Sequence, residues 1–121
     1  MQKFSPSVLS LADTVGSASE DLIERVFRRL TSEVDSRHLG CHLHLHPLEG
    51  IGKIEAAFRG GCRRFDGAIR GVGGCPMAQD DLVGNAPTEL VIQWAEANEL
   101  WGVQNPMAWS EAQSLAASLF L

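Results

Sequence analysis

Apolar residues recur along the chain in two alternating patterns: short continuous runs typical of buried strands, and longer stretches with helical spacing. The runs at 7–14, 39–46 and 63–69 predict three strands. The stretches with helical spacing predict four helices, at 17–34, 48–61, 86–100 and 105–121. The strand–helix order repeats three times with short connections, which predicts an α/β fold of parallel strands covered by helices.

Residues that favour helix ends support these boundaries. Ser19, followed by two acidic residues, is a helix-start signal. The pair Gly60-Gly61 is a stop signal for the second helix, and Pro87 suits the first turn of the third. The last helix is expected to start near Pro106, and the glycine-rich segment 70–85 is expected to form a long loop.

The length of 121 residues limits the architecture. A complete (β/α)₈ barrel needs about 250 residues, whereas this chain supplies about three βα units. Three parallel strands alone would leave two open edges and an unfinished core. The chain is therefore a piece of a barrel, an oligomer that completes itself, or a small open α/β domain. We favour the first, with residues 1–121 forming one partial barrel domain.

Composition and charge narrow the classes of function. A net charge of −5 argues against a nucleic-acid surface, which would be basic. No apolar run approaches the roughly 20 residues of a membrane helix, and the first ten residues lack the apolar core of a signal peptide. The three cysteines show no paired spacing, which fits a reducing compartment. We expect a cytoplasmic protein that acts on neither nucleic acid nor membrane.

Three histidines alternate in the second predicted strand. Alternation by two places His42, His44 and His46 on one face. Such a face is either a wet edge with titratable side chains or the end of a barrel strand that offers ligands to a metal. His42 and His44 are the pair expected to converge on one ion, whereas His46 either joins them or lines the mouth. His38 precedes the strand and is expected at the surface.

Other reactive residues lie at or after predicted strand ends, where sites form in parallel α/β proteins. Asp13 ends the first strand. Cys75 lies in the flexible loop "GVGGCPM", where a thiol could close over a substrate and deliver a proton or simply fill a turn. Asn85 either caps the following helix or offers an amide oxygen to a hard cation. We assign Cys41 and Cys62 to packing.

These residues carry a family resemblance. The segment "GCRRFDGAIRGVGGCPMAQDDLVGNAPTELV" (61–91), together with the upstream H-x-H and "LSLADTVG" (9–16), resembles 3-hydroxy-3-methylglutaryl-CoA lyase. Related metal-dependent condensing enzymes, such as isopropylmalate and homocitrate synthases, share the barrel and the H-x-H but lack the Cys-Pro loop. The resemblance implies that the chain is the C-terminal three βα units and tail of a (β/α)₈ TIM barrel.

The resemblance also implies site residues. His42 and His44 match two histidine ligands of a divalent Mg²⁺ or Mn²⁺, and Asn85 matches a ligand amide. Cys75 matches the loop cysteine that serves as an acid/base, and Asp13 matches an aspartate near the reacting hydroxyl. With His42, these two residues form the implied catalytic set.

The implied reaction is a retro-Claisen cleavage of an acyl-CoA that yields acetyl-CoA and acetoacetate. Asp66 and Glu89 match acidic positions of the same region, whereas Leu45, His46 and Met77 depart from the family's pattern. The family's Arg-Asp pair lies in a first half that is missing here, so we expect the chain to need that N-terminal half or self-association. The alternatives are a related acyl-CoA or 2-oxo-acid aldolase or condensing enzyme of the same barrel, and a non-catalytic barrel remnant.

Overall fold

A parallel sheet forms the centre of the chain. The computed structural model describes residues 7–46, 48–74 and 83–120. The strands are β1 (Leu9–Asp13), β2 (Leu39–Leu45), β3 (Arg64–Asp66) and β4 (Gly84–Asn85). The helices are α1 (Glu20–Thr31), α2 (Gly50–Arg59), α3 (Thr88–Ala97) and α4 (Pro106–Leu119), and short 3₁₀ turns span Ser36–His38 and Ile69–Gly71.

The strands β1 and β3 both pair with β2 in parallel, so β2 is the middle strand. The register sets Leu11 opposite Cys41 and Cys41 opposite Phe65. Each parallel pair is joined through a helix, as βαβ connections require. The predicted α/β fold of parallel strands covered by helices is confirmed.

The third predicted strand is wrong in its second half. The strand β3 ends at Asp66, and Ala68 makes only an isolated bridge to Pro87. The 3₁₀ turn follows, and Arg70 adopts a left-handed backbone with φ of 63°. The Arg70 N–H donates to both carboxylate oxygens of Glu89, each at 3.0 Å. The Glu89 carboxylate on α3 thus accepts from a backbone N–H that would pair with a neighbouring strand if β3 were longer.

The predicted loop 70–85 contains a strand that the sequence pattern did not indicate. The strand β4 pairs antiparallel with β2, with Asn85 opposite His44 and Gly84 opposite Leu45. It lies on the β3 side of β2, because the Ala68 N–H donates to the carbonyl of Ala86, just after β4. The strand β4 therefore continues the sheet beyond the point where β3 ends.

Helix ends follow the predicted signals with small shifts. The Ser19 Oγ accepts from the Leu22 N–H at 3.3 Å and caps α1. Gly60 follows α2 directly, as predicted. Pro87 precedes α3 as its cap rather than lying in its first turn. The last helix begins at Pro106, as predicted, and the Asn105 Oδ1 caps it by accepting from the Ala108 N–H.

The hydrophobic core lies between β2 and the helices. Cys41, Leu43 and Leu45 alternate on the helix-facing side of β2 and are at most 4% exposed. Burying one such aliphatic side chain contributes about 1.5–3 kcal/mol. The core partners contributed by the helices and by the turn before β3 are Ile23, Phe27, Ile54, Ala56, Ala57, Cys62, Val91, Trp94 and Ala95.

The two described cysteines have the predicted packing role. Cys41 and Cys62 are buried free thiols. The pKa of the Cys41 thiol is raised, first by its hydrogen bond with Cys62 and then by burial. Because the thiolate is the reactive form, a raised pKa lowers the reactivity expected of Cys41.

No helix within the described ranges is long and apolar enough to cross a membrane.

Candidate functional site

The histidines lie on the sheet face that points away from the core. Alternation along β1, β2 and β3 places seven residues on this side, and we call them the histidine face: Ser10, Ala12, Gly40, His42, His44, Arg64 and Asp66. A Cβ built on Gly40 would lie 3.1 Å from the Ser10 Oγ, which confirms that positions 10 and 40 share this side. In a closed barrel this face would be the interior.

One hydrogen bond crosses the histidine face. The Ser10 Oγ on β1 donates to the Asp66 Oδ2 on β3 at 3.2 Å. The bond passes over β2 at Gly40, where a side chain would lie against the hydroxyl. The missing side chain at Gly40 thus lets the two outer strands contact each other directly.

His42 and His44 are neighbours on the histidine face, closer than Gly40 to the carboxyl end of β2. Their ring centroids are 5.4 Å apart in an edge-on arrangement. His44 is 7% exposed, and its buried Nδ1 has no hydrogen-bond partner among the described residues. A buried polar atom without a partner costs about 1–3 kcal/mol. The imidazole pair therefore offers an unsatisfied nitrogen to a ligand from outside the described chain.

Asn85 is brought to this pair by β4. Its register partner is His44, and its side-chain Nδ2 donates to the Val72 carbonyl at 2.8 Å. That bond fixes the orientation of the amide, and a metal-ligand role for its Oδ1 stays a prediction. The alternative role of Asn85 as a helix cap is wrong, because Pro87 occupies the cap position of α3.

The Asp13 side chain forms hydrogen bonds with the loop that follows β1. By alternation it shares the helix-facing side with Leu11 rather than the histidine face. Its two carboxylate oxygens accept from the Ser17 N–H at 3.1 Å and the Ala18 N–H at 2.9 Å. Asp13 thus shapes the loop next to the site, and its role beside a substrate hydroxyl stays a prediction.

Cys75 lies outside the described residues, as does Met77. The described residues on either side approach each other beside Asn85. A Cβ on Gly73 would lie 2.8 Å from the Asn85 Nδ2, and one on Gly74 would lie 3.0 Å from the Val83 carbonyl oxygen. The segment that carries Cys75 thus leaves and re-enters the described chain next to the predicted amide ligand.

The remaining histidines make contacts of their own. His38 is exposed, as predicted, and its Nδ1 lies 2.6 Å from the Ser7 carbonyl oxygen. The Nδ1 of His46 accepts from the Leu48 N–H at 3.2 Å, just past the end of β2. This bond holds the turn that leads into α2.

Among the described residues, the groups brought together as candidate ligands are two imidazoles and one amide. Across residues 7–46, 48–74 and 83–120, no group of three or more His, Cys, Asp or Glu could hold a metal ion. Mg²⁺ and Mn²⁺ favour oxygen ligands, carboxylates above all. The residues present fit one side of such a site, which a carboxylate from outside the described residues would complete.

Sequence reasoning missed Lys53, which lies beside the site. It is 5% exposed and belongs to the buried stripe of α2, with Gly50, Ile54 and Ala57 at helical spacing. That position within an apolar stripe was the available signal. Lys53 lies in the wall of a cleft of about 580 Å³ between the β1–α1 loop and the first turn of α2.

The sequence matches a known protein family over nearly its whole length. A family model described as HMGL-like matches residues 1–118. The chain belongs to the HMGL-like family. This confirms the resemblance seen in the sequence.

Two curated relatives of this HMGL-like chain are lyases. Hydroxymethylglutaryl-CoA lyase from Bacillus subtilis is 32% identical over 98 residues, which cover 81% of this chain and 32% of the relative. (R)-Citramalyl-CoA lyase from Chloroflexus aurantiacus is 35% identical over 82 residues, 68% of this chain and 26% of the relative. The chain thus spans between about a quarter and a third of the length of these relatives.

Solved structures of HMG-CoA lyases share the fold of this HMGL-like chain. The enzyme from Acinetobacter baumannii, in complex with coenzyme A and 3-methylmalate, is 30% identical with a TM-score of 0.77 over 92% of this chain and 36% of that one. The enzyme from Pseudomonas aeruginosa is 28% identical with a TM-score of 0.80 over 95% of this chain and 38% of that one. This chain therefore matches a little over a third of each of these two lyase chains.

Proposed function

We propose that this chain supplies the metal-binding side of a hydroxymethylglutaryl-CoA lyase-like active site. The reaction is the cleavage of 3-hydroxy-3-methylglutaryl-CoA to acetyl-CoA and acetoacetate. The observation that carries the proposal is the arrangement of His42 and His44, whose ring centroids are 5.4 Å apart. The buried Nδ1 of His44 has no hydrogen-bond partner among the described residues, and Asn85 is the register partner of His44. Curated relatives named hydroxymethylglutaryl-CoA lyase, among them those from Bacillus subtilis and Pseudomonas mevalonii, support the proposal.

The metal in this proposal is Mg²⁺ or Mn²⁺, held by His42, His44 and Asn85 together with a carboxylate from outside the described chain. A bound divalent ion polarises the substrate's oxygens and stabilises negative charge that develops on them. The chain's own residues orient the site: the Val72 carbonyl fixes the Asn85 amide, and the β4 pairing holds that amide opposite His44.

Proton transfer is the second task of the chain in this proposal. Cleavage requires a base for the substrate hydroxyl and an acid for the carbon of the acetyl-CoA enolate. We assign the acid/base role to Cys75, whose segment joins the described chain beside Asn85. His42 belongs to the catalytic set as a ligand beside the reacting oxygens. We assign Asp13 a position near the reacting hydroxyl of the substrate, in the loop that its carboxylate holds.

The rest of the barrel is the partner that this proposal requires. Among the described strands, β1 and β3 are the outer strands of the parallel sheet. Beside β1, an apolar groove of about 150 Å³ is lined in part by Leu11, Leu22 and Val26. An open edge next to an apolar groove is the surface on which a further strand and helix pack. The remaining strands come from an N-terminal half or from further copies of the chain.

The substrate is an acyl-CoA, and the cell compartment is the cytoplasm. The structural relative from Acinetobacter baumannii is in complex with coenzyme A, which supports this substrate class. The buried free thiols of Cys41 and Cys62 support a reducing compartment.

A second candidate is cleavage of a different 3-hydroxyacyl-CoA. The (R)-citramalyl-CoA lyase relative is 35% identical, a little above the 32% of the Bacillus subtilis enzyme. The two candidates share the metal side of the site, so they differ in substrate side chain alone. Parallel assays with 3-hydroxy-3-methylglutaryl-CoA and citramalyl-CoA distinguish them by the thioester that is consumed faster.

The deciding experiment combines metal binding with product release. Binding of Mn²⁺ is measured by calorimetry, and acetoacetate release is measured with Mn²⁺ or with a chelator. The unaltered chain is compared with His44→Ala and Cys75→Ala, and with His38→Ala as a matched histidine control at the exposed surface.

Metal-dependent release that is lost in His44→Ala and Cys75→Ala but kept in His38→Ala supports the full proposal. Mn²⁺ binding that only His44→Ala abolishes, without release, supports the metal side and assigns the chemistry to the completed barrel. Absence of both binding and release in every variant overturns the proposal.

A further inference from the structure

A single buried ammonium links the loop after β1 to the start of α2. The Lys53 Nζ donates to the Gly16 carbonyl at 2.8 Å. Among the described ion pairs, its carboxylate partner is that of Glu49, which lies 3.9 Å away on a side chain that is 64% exposed. A charged amine is rarely this buried unless it is paired, and the Gly16 carbonyl at 2.8 Å is the closer of these two partners.

Gly16 is a contact point for two of the predicted metal-binding elements. It has a left-handed backbone with φ of 67°. A Cβ built on it would lie 3.0 Å from the His44 carbonyl oxygen and 2.7 Å from the Val83 Cγ1. His44 is a predicted ligand in β2, and Val83 directly precedes β4, which carries Asn85. The loop at Gly16 therefore packs against both ligand-bearing strands.

The loop at Gly16 is held by two sets of hydrogen bonds. The Asp13 carboxylate accepts from the Ser17 and Ala18 N–H groups and so joins the two sides of the loop. Between these residues, the Gly16 carbonyl accepts from the Lys53 Nζ on α2. Removing the Lys53 ammonium would therefore remove the described hydrogen bond between α2 and the Gly16 carbonyl.

We propose that Lys53 is a positioning residue, which holds the Gly16 loop against the ends of β2 and β4 and so keeps His44 and Asn85 in register as metal ligands. The metal-binding part of this inference rests on the function proposed above. The loop-holding part does not, because it concerns contacts within the chain alone.

The test uses Lys53→Met, which keeps an unbranched side chain one heavy atom shorter than lysine and removes its charge and donors. Arg59→Met is the matched control, since Arg59 lies on the same helix and pairs with Glu24 away from the loop. Hydrogen exchange of the Ser17 and Ala18 amides is followed by NMR without metal. Mn²⁺ affinity is measured separately, and so is the unfolding midpoint in urea.

In Lys53→Met, the Ser17 and Ala18 amides should exchange roughly tenfold faster or more, because a hydrogen bond to a charged donor is lost. Mn²⁺ affinity should fall several-fold. In Arg59→Met, the unfolding midpoint should fall while loop exchange and Mn²⁺ affinity stay at the level of the unaltered chain. Partial recovery in Lys53→Arg, which keeps a charged donor, would support the same conclusion.

Unchanged loop exchange in a folded Lys53→Met overturns the proposal. Faster loop exchange with unchanged Mn²⁺ affinity overturns its metal-binding part. If the unaltered chain binds no Mn²⁺, the proposed function fails while loop exchange still decides the role of Lys53. Should Lys53→Met not fold, the through-bond NMR coupling between the Lys53 ¹⁵Nζ and the Gly16 carbonyl carbon is measured in the unaltered chain, and its absence also overturns the proposal.

Discussion

Replacing Gly16 with alanine should be one of the most destabilising single-methyl additions in this chain. The residue has φ of 67°, a left-handed backbone that costs a non-glycine residue about 1–2 kcal/mol. The added Cβ would also lie 2.7 Å from the Val83 Cγ1 and 3.0 Å from the His44 carbonyl oxygen. The Val83 side chain can rotate, but the carbonyl belongs to the paired backbone of β2 and cannot move cheaply. We therefore expect Gly16→Ala to lower the free energy of unfolding by at least about 2 kcal/mol.

The matched control is Gly52→Ala in the first turn of α2. A Cβ there would meet the carboxylate of Glu20, the far end of an exposed and flexible side chain. Glycine within a helix is less stable than alanine by about 0.5–1 kcal/mol, so this variant should be neutral or slightly stabilising once Glu20 moves aside. Urea titration followed by circular dichroism and tryptophan fluorescence gives both values. A loss below about 0.5 kcal/mol in Gly16→Ala, or an equal loss in the two variants, would show that neither the backbone angle nor the His44 carbonyl limits this position.

Three further predictions concern stability and reactivity. Asp35→Asn should destabilise the chain near neutral pH, with the difference fading as the pH falls from about 3.8 to about 2, because hydrogen bonds from the Arg37 side chain and then from its backbone N–H lower the pKa of Asp35 to about 2. Urea midpoints at pH 6, 4 and 2 test this, and a difference that does not depend on pH would contradict it. Cys41 should resist iodoacetamide at pH 8 until the chain is denatured, because its hydrogen bond with Cys62 and its burial raise the pKa of its thiol; labelling of the folded chain at the rate of a free thiol would count against this. Trp94→Phe should cost less than about 1.5 kcal/mol, because the lost volume is offset by removing a buried indole N–H that has no partner in the described ranges, whereas Trp94→Ala should cost about 3–5 kcal/mol; equal losses in the two variants would exclude that offset.

Hydrophobic pattern was sufficient to predict the parallel sheet and its covering helices. The apolar run in β2 and the helical spacing in α1 are properties of local sequence, so they are readable without a partner. The histidine face was predictable for the same reason, since His42 and His44 alternate within one strand. The structure places these two imidazoles side by side, and their role as metal ligands stays a prediction.

The features that the sequence did not reveal depend on contacts outside the strand or helix that carries each residue, some of them in a neighbouring loop and others distant in the chain. The strand β4 is two residues long, and only its pairing with Leu45 and His44 defines it. The orientation of Asp13 depends on the loop N–H groups that its carboxylate accepts. Lys53 reads as an ordinary charged residue until the packing of α2 shows that it is buried. Each of these requires the fold before it can be recognised.

The hydrogen bond from Ser10 to Asp66 over Gly40 has a consequence for how sequences of this kind diverge. The three residues lie on three different strands, yet each depends on the others, because a side chain at position 40 would lie against the Ser10 hydroxyl. A substitution at Gly40 removes the benefit of keeping a hydroxyl at position 10 and a carboxylate at position 66. These three positions should therefore change together during evolution and appear as a co-varying set, although they are 26 to 56 residues apart in sequence.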